Sequence, residues 1–285
     1  MKDVIEMSTS ILLGKLDEAI RAAGDFDVAE LLGSYVEFLL AVPVKKSRRI
    51  EKAKDFACPP ENQIGLENLE KAIANGDDLL PWMSKQYRNG HYFGDDNMMH
   101  LYGVTHFHLG TSADIKEPQK IERTSNLLYA YVKEDVIYEL KVCDHGEWYS
   151  HNLQEILMKN WPEEFKRYKL GLNIVDVAGM PESDDQIKEL TKIGIGTLIP
   201  TSEGICFPIG CGITTARTSV RAMLIADSFR HALYDYEKRF VKRFGYKHLK
   251  EYQMALDGRY LKMSSRFAKE MLVDILTKEV VFCKS

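Results

Sequence analysis

Apolar residues recur at helical spacing twice near the start of the chain. Ile11, Leu12, Leu16 and Ile20 mark one stripe within residues 5–22, and Leu31, Leu32, Val36 and Leu39 mark another within 27–40. Together they predict a helical hairpin. Cys58-Pro59-Pro60 breaks the pattern, and Leu66, Leu69 and Ile73 predict a helix over 63–75. The period changes at Tyr102. Residues 104–109, Val-Thr-His-Phe-His-Leu, are β-compatible and close at Gly110. Residues 127–132 and 136–143 are two further apolar runs, parted only by Lys133, Glu134 and Asp135, which predicts a hairpin. Leu153, Ile156, Leu157 and Trp161 along one face predict a helix over 151–161, stopped by Pro162. Beyond Pro181, residues 194–200 and 204–208 predict short strands, followed by the loop Gly210-Cys211-Gly212. Thr214, Thr215 and Thr218 are N-cap candidates for a long helix over 216–244 that stops at Gly245. Residues 246–285 read as mixed helix.

This order of elements predicts an α+β protein in three parts: a helical N-terminal region over 1–101, a central antiparallel sheet with a helix over 102–180, and a smaller C-terminal α/β unit over 181–285 with a hairpin and the long helix.

Composition narrows the class. The 285 residues are 45% hydrophobic and 28% charged, an ordinary globular balance. Apolar runs such as 38–44 fall far short of the roughly 20 residues a membrane helix needs, which predicts no membrane association. The N-terminus lacks the basic and apolar pattern of a secretory signal, so a cytoplasmic address is expected. Five cysteines at 58, 143, 206, 211 and 283 form no CxxC pair and predict reduced thiols. Cys206 and Cys211 flank a turn and suit either two zinc ligands or small buried thiols, the commoner case. A net charge of -4 excludes a surface that is basic throughout, so any phosphate contact must be local. Two basic clusters exist: Lys45, Lys46, Arg48 and Arg49, and Lys238, Arg239, Lys242, Arg243 and Lys247, the second suited to a helix C-terminus.

Candidate chemistry gathers in 104–151. Alternation along a strand puts His106 and His108 on one face, Cβ atoms about 6 to 7 Å apart, and Phe107 and Leu109 on the other. One face is then apolar and one functional. In the hairpin, Glu139, Lys141 and Cys143 share a face opposite Tyr138, Leu140 and Val142, and His145 follows just past the strand end. Imidazoles beside a cation suit in-line cleavage of RNA: one removes the 2′-hydroxyl proton, another protonates the departing 5′-oxygen, and a cation stabilises the transition state. Arg123 and Lys141 are the nearest cations, and Trp148 or Tyr149 can stack on a base. The same residues offer an alternative, a zinc site of His106, His108, His145 and Cys143, hydrolytic or structural. His100 reads as structural and His151 as a helix-start residue. A Cys143 nucleophile would need a depressed pKa that nothing in the sequence indicates. The loop 210–215 opens toward a helix with Arg217 and Arg221 one and two turns in, which makes an anion or substrate contact the alternative to a plain capped helix.

The succession of a histidine strand, Leu127-Leu128-Tyr129-Ala130-Tyr131, a charged turn, a strand, and Asp144-His145 followed by Trp148 and Tyr149 resembles the RelE-type ribonuclease toxins, in particular their histidine-rich YafQ branch. The resemblance covers about fifty residues. It matches His108 and His145 to the branch's histidines and Tyr149 to its aromatic residue, and implies a RelE-like antiparallel sheet cleaving RNA without a metal cofactor. Ser125-Asn126 stands where the branch has Asp-Trp, and a polar insertion separates Leu109 from Leu127. The family's members are small and basic, unlike this chain.

The leading expectation is therefore a metal-independent endoribonuclease, a toxin or phage-defence effector, with His106, His108, Arg123, Lys141, His145 and Tyr149 catalytic and Trp148, Arg217 and Arg221 in substrate contact. RNA is the expected partner, with a protein partner such as an antitoxin, or a homodimer, left open. The alternatives are the zinc site and a non-catalytic partner-binding component of a toxin or defence system.

Overall fold

A computed structural model describes residues 25–84, 96–118, 120–146, 148–171, 179–244, 252–257, 259–265 and 270–283. The helix predicted over 5–22, Gly245 and Lys247 lie outside the described residues. Two compact units are present, one of residues 41–221 and one that joins 1–40 to 222–285. This division differs from the one read at 101 and 180: the predicted central part lies inside the first unit.

The first unit is built on a four-stranded sheet of order β1-β4-β3-β2, made of β1 (Arg49–Lys52), β2 (Val104–His108), β3 (Asn126–Val132) and β4 (Val136–Asp144). β2, β3 and β4 are antiparallel, as the alternating runs predict. β1 is an addition to the expected scheme and lies parallel to β4. Its four residues, Arg-Ile-Glu-Lys, hold a single apolar side chain, too little for a periodic signal. The N-terminal basic cluster that precedes and begins β1 is used internally. Lys46 pairs with Glu134 and Asp135 of the hairpin turn at 3.2 and 2.6 Å, and Arg48 donates Nε–H to the Lys133 carbonyl at 2.9 Å. These bonds fasten the parallel strand to the hairpin tip.

A bulge shapes β4. Tyr129 faces Lys141 and Ala130 faces Glu139, so Leu140 is an extra residue. Alternation reverses there. The expectation that Glu139 shares a face with Lys141 and Cys143 is thereby corrected: Glu139 joins Thr105 and Ala130 on the opposite face. A second correction concerns the sheet's two sides. All five β2 residues are buried, and the histidine face is also the main core face. It carries Val104, Leu127, Tyr129, Tyr131 and Tyr138, packed with Leu153, Leu157 and Met158 of helix α4 (Asn152–Asn160) and with Phe165. Trp161 caps α4 and donates Nε1–H to Glu51 of β1 at 2.7 Å; Pro162 opens the next short helix, α5 (Pro162–Phe165).

The helix predicted over 27–40 is α1 (Asp25–Ala41), and that over 63–75 is α2 (Gln63–Asn75). A Cβ on Gly65 of α2 would lie 1.8 Å from the Leu109 carbonyl oxygen. Only glycine lets this helix approach the end of β2 so closely. Helix α3 (Asn97–Tyr102) precedes β2, and the glycine loop over 210–212 packs on its end: Gly210 donates N–H to the Leu101 carbonyl and Gly212 to that of His100. Helix α6 (Asp184–Lys192) and the small hairpin β5 (Ile199–Thr201) and β6 (Gly204–Cys206) complete this unit.

In the second unit the long helix α7 (Val220–Phe244), its residues from 222 onward, accompanies α1 and a meander of β7 (Tyr252–Asp257), β8 (Tyr260–Ser265), β9 (Glu270–Asp274) and β10 (Val280–Cys283), in order β10-β9-β8-β7. The mixed helix expected over 246–285 is corrected to strands within the described residues. Leu261, Met263, Met271 and Val273 are buried at a period of two. Met, Lys and Glu nevertheless favour helices locally, and sheet burial overrides that preference.

Among the described residues, no helix is long and apolar enough to cross a membrane.

Candidate functional site

Because His106 and His108 alternate with Phe107 on β2, both imidazoles project from one face, 6.2 Å apart between ring centroids. β4 runs antiparallel to β3 and ends level with it, where Asn126 faces Asp144. The chain then turns, and His145 comes back over the pair. Its ring lies 6.3 Å from that of His106 and 5.7 Å from that of His108. The turn is anchored beneath: Tyr129 donates Oη–H to the Asp144 carbonyl at 2.9 Å, and Tyr102 donates to that of Tyr149 at 2.7 Å.

The polar insertion between Leu109 and Leu127 supplies the fourth side of the site. It closes on itself through the Glu122 N–H to Ser112 O bond at 2.9 Å, and so returns Arg123 and Thr124 beside the end of β2. Thr124 donates its backbone N–H to Nδ1 of His108 at 3.3 Å, and its hydroxyl donates to the Asn126 carbonyl while accepting the Leu109 N–H. With Nδ1 accepting, neutral His108 carries its proton on Nε2. Nε2 of His108 and Nδ1 of His106 are buried and have no hydrogen-bond partner among the described residues. Two ring nitrogens are therefore left for something else to engage.

Burial is graded. His106 and His108 are each 2% exposed, whereas His145 and Arg123 are open to solvent. Burial, then the neighbouring His108, His145 and Arg123, hold the His106 pKa down at about 3. Burial, then Arg123 and His145, hold His108 at about 4. His145 is lowered by burial and Arg123, opposed by the Thr124 backbone and Asp144. All three rings feel the same cation, Arg123.

Other sequence candidates fall elsewhere. Lys141 lines a separate cavity of about 310 Å³ with Asp55, Asn152, Glu155 and Lys159, between β4 and α4. Tyr149 accepts from Asn97 Nδ2 at 3.1 Å and packs on the core. Trp148 is the aromatic residue of the cluster, edge-on to His106 at 5.0 Å and tilted over His145 at 6.0 Å. Cys143 is partly buried against the core. His151 is tied to Asp184 at 2.7 Å, and His100 is buried on α3. Cys206 is buried in its hairpin while Cys211 is exposed.

Arg217 does not lie in a helix. α7 starts at Val220, and the preceding residues form a closed turn in which Thr214 and Thr218 bond to each other and Arg217 has a φ of 64°. Arg221 is the second residue of α7. The loop 210–215 thus ends in a turn and does not open onto a helix N-terminus.

For the zinc alternative, no group of three or more His, Cys, Asp or Glu side chains among the described residues is placed to hold a metal ion. Zn–N bonds of about 2.0–2.1 Å would require the three rings to draw closer than they lie.

Sequence reasoning missed Thr124, whose contribution comes mainly from its backbone and whose position depends on how the insertion closes. Comparison with family models, with curated proteins and with solved structures finds no match.

Proposed function

We propose that this protein is a metal-independent endoribonuclease whose centre is His106, His108, His145 and Arg123. The observation that carries this reading is the meeting of three imidazoles, from β2 and the end of β4, at 5.7–6.3 Å around a site that also feels Arg123. The resemblance to RelE-type toxins, which matches His108 and His145 to that family's histidines, implies the same chemistry.

In the resting protein the rings are biased toward the neutral form, which suits a base. His145, the accessible ring, takes the 2′-hydroxyl proton as the oxygen attacks phosphorus. A bound phosphodiester offsets the charge of Arg123, which had disfavoured protonation, and thereby lets His108 hold the proton that it delivers to the departing 5′-oxygen. Arg123 stabilises the extra negative charge of the pentacoordinate phosphorus. The products are a 2′,3′-cyclic phosphate and a free 5′-hydroxyl. Trp148, over His106 and His145, offers a face for a base.

The deciding experiment incubates end-labelled RNA and DNA with wild type, His108→Ala and His145→Ala in chelator. Cleavage of RNA alone, with cyclic-phosphate ends, reduced by about 100-fold or more in both variants, is the expected result. Equal cleavage in all three proteins, or none in wild type, would overturn the reading.

A further inference from the structure

Glu139 has no part in the chemistry above, yet it is the most completely enclosed charged residue type in the sheet. It is 0% exposed, and neither carboxyl oxygen has a hydrogen-bond partner among the described residues. The bulge in β4 turns it to the face away from the histidines, in one row with Ala130 and Thr105. Thr105 is 1% exposed, and its hydroxyl likewise has no hydrogen-bond partner among the described residues.

The groups that face Glu139 come from β1, α2 and the loop between them. Lys52 of β1, its register partner, brings Nζ to 3.8 Å from Oε2. Glu70 of α2 holds that same ammonium more tightly, at 2.8 Å. Cys58, in the connecting loop, couples electrostatically to both Lys52 and Glu139, and its thiol is pushed up, first by burial. Lys52 is 42% exposed, so much of its charge is satisfied by water and Glu70. A carboxylate at Glu139 would have lost its water, would accept no N–H, and would face a second carboxylate. A neutral carboxyl avoids the ionic part of that cost. Burial, then Glu70, accordingly raises the Glu139 pKa to about 8, with Lys52 opposing.

We propose that Glu139 is a proton-held latch: its neutral carboxyl lets α2 and the loop that carries Cys58 stay closed over this face of the sheet, and loss of that proton opens this cover to water. β4 continues from Glu139 to Asp144 and so leads directly to His145, which places the latch on the strand that presents the exposed histidine. The inference is independent of the nuclease reading.

The test compares wild type with Glu139→Gln by infrared spectroscopy and amide hydrogen exchange. Wild type should show a protonated-carboxyl band at neutral pH that titrates near pH 8 and is missing from Glu139→Gln. Exchange of the α2 amides, corrected for intrinsic rates, should rise about tenfold between about pH 7 and pH 9 in wild type and stay level in the variant. Should Glu139→Gln not fold, Lys52→Met gives the same information: without the nearby cation, the band midpoint and the opening must both move to higher pH. An ionised Glu139 at neutral pH, an equal alkaline opening in Glu139→Gln, or an unmoved midpoint in Lys52→Met overturns the latch.

Discussion

The backbone N–H of Thr124 donates to Nδ1 of His108 at 3.3 Å, so the loop that replaces a simple turn between β2 and β3 also selects the tautomer of a buried ring. An amide N–H cannot accept, so Nδ1 must be the bare nitrogen when the ring is neutral. Long-range proton–nitrogen correlation spectra near neutral pH should therefore show His108 protonated at Nε2. A ring protonated at Nδ1 would contradict this geometry. Thr124→Ala should cost about 1–3 kcal/mol in denaturant unfolding, because the Leu109 N–H loses its acceptor and the Asn126 carbonyl its donor.

Acid should weaken the fold through the same rings. His106 and His108 titrate at about 3 and about 4 in the folded chain, below the ordinary value of 6.5. For bases depressed in this way, the unfolded chain takes up protons first as pH falls. The stability is fully present above about 6.5 and is lost as pH drops toward 3 to 4. For His106 the loss is on the order of 3–5 kcal/mol. The expected result is that His106→Gln unfolds over a shallower acid limb than wild type in urea titrations. Glu139 acts in the opposite sense: its raised pKa makes stability fall as pH climbs from 4.5 toward 8. Pairwise difference curves against each variant separate the two, and parallel curves would refute either assignment.

The strand over 104–109 and the hairpin are legible in the sequence because alternation and a charged turn are local properties, and β2, β3 and β4 occupy these positions. The meeting of His106, His108 and His145 followed from that register. What sequence could not supply were relations set by distant contacts. The β4 bulge separates Glu139 from Lys141 although both sit in one alternating run. β1 earns its place by parallel pairing with β4, far along the chain. Both sheet faces are covered, so polar positions on β2 did not mark a solvent side. Arg123 and Thr124 reach His108 only because the insertion folds back through Ser112 and Glu122.

Two adjacent aromatic residues should separate cleanly. Trp148 touches His106 and His145, whereas the Tyr149 hydroxyl accepts from Asn97. Trp148→Ala should weaken RNA binding or turnover by about 10-fold or more, the loss of roughly 1–3 kcal/mol of stacking. Tyr149→Phe should lower stability by about 0.5–1.5 kcal/mol and leave cleavage unchanged. Steady-state kinetics paired with unfolding curves would measure both, and the reverse pattern would return the aromatic role to Tyr149.

The cation can be assigned in the same way. Arg123 depresses all three histidines, while Lys141 is one of the residues around the cavity between β4 and α4. Removing Arg123 takes away the transition-state donor and a repulsive charge at once. Arg123→Ala should therefore cut kcat by about 100-fold or more and raise the titration points of His108 and His145. Its pH–rate profile should shift to higher pH in step with those titrations. Lys141→Ala should keep the wild-type profile and lose less than about 10-fold in rate. If instead Lys141→Ala is the crippled variant while Arg123→Ala leaves rate and histidine titrations unmoved, then the charge that serves the site comes from β4, and the loop holding Arg123 serves only to seat His108.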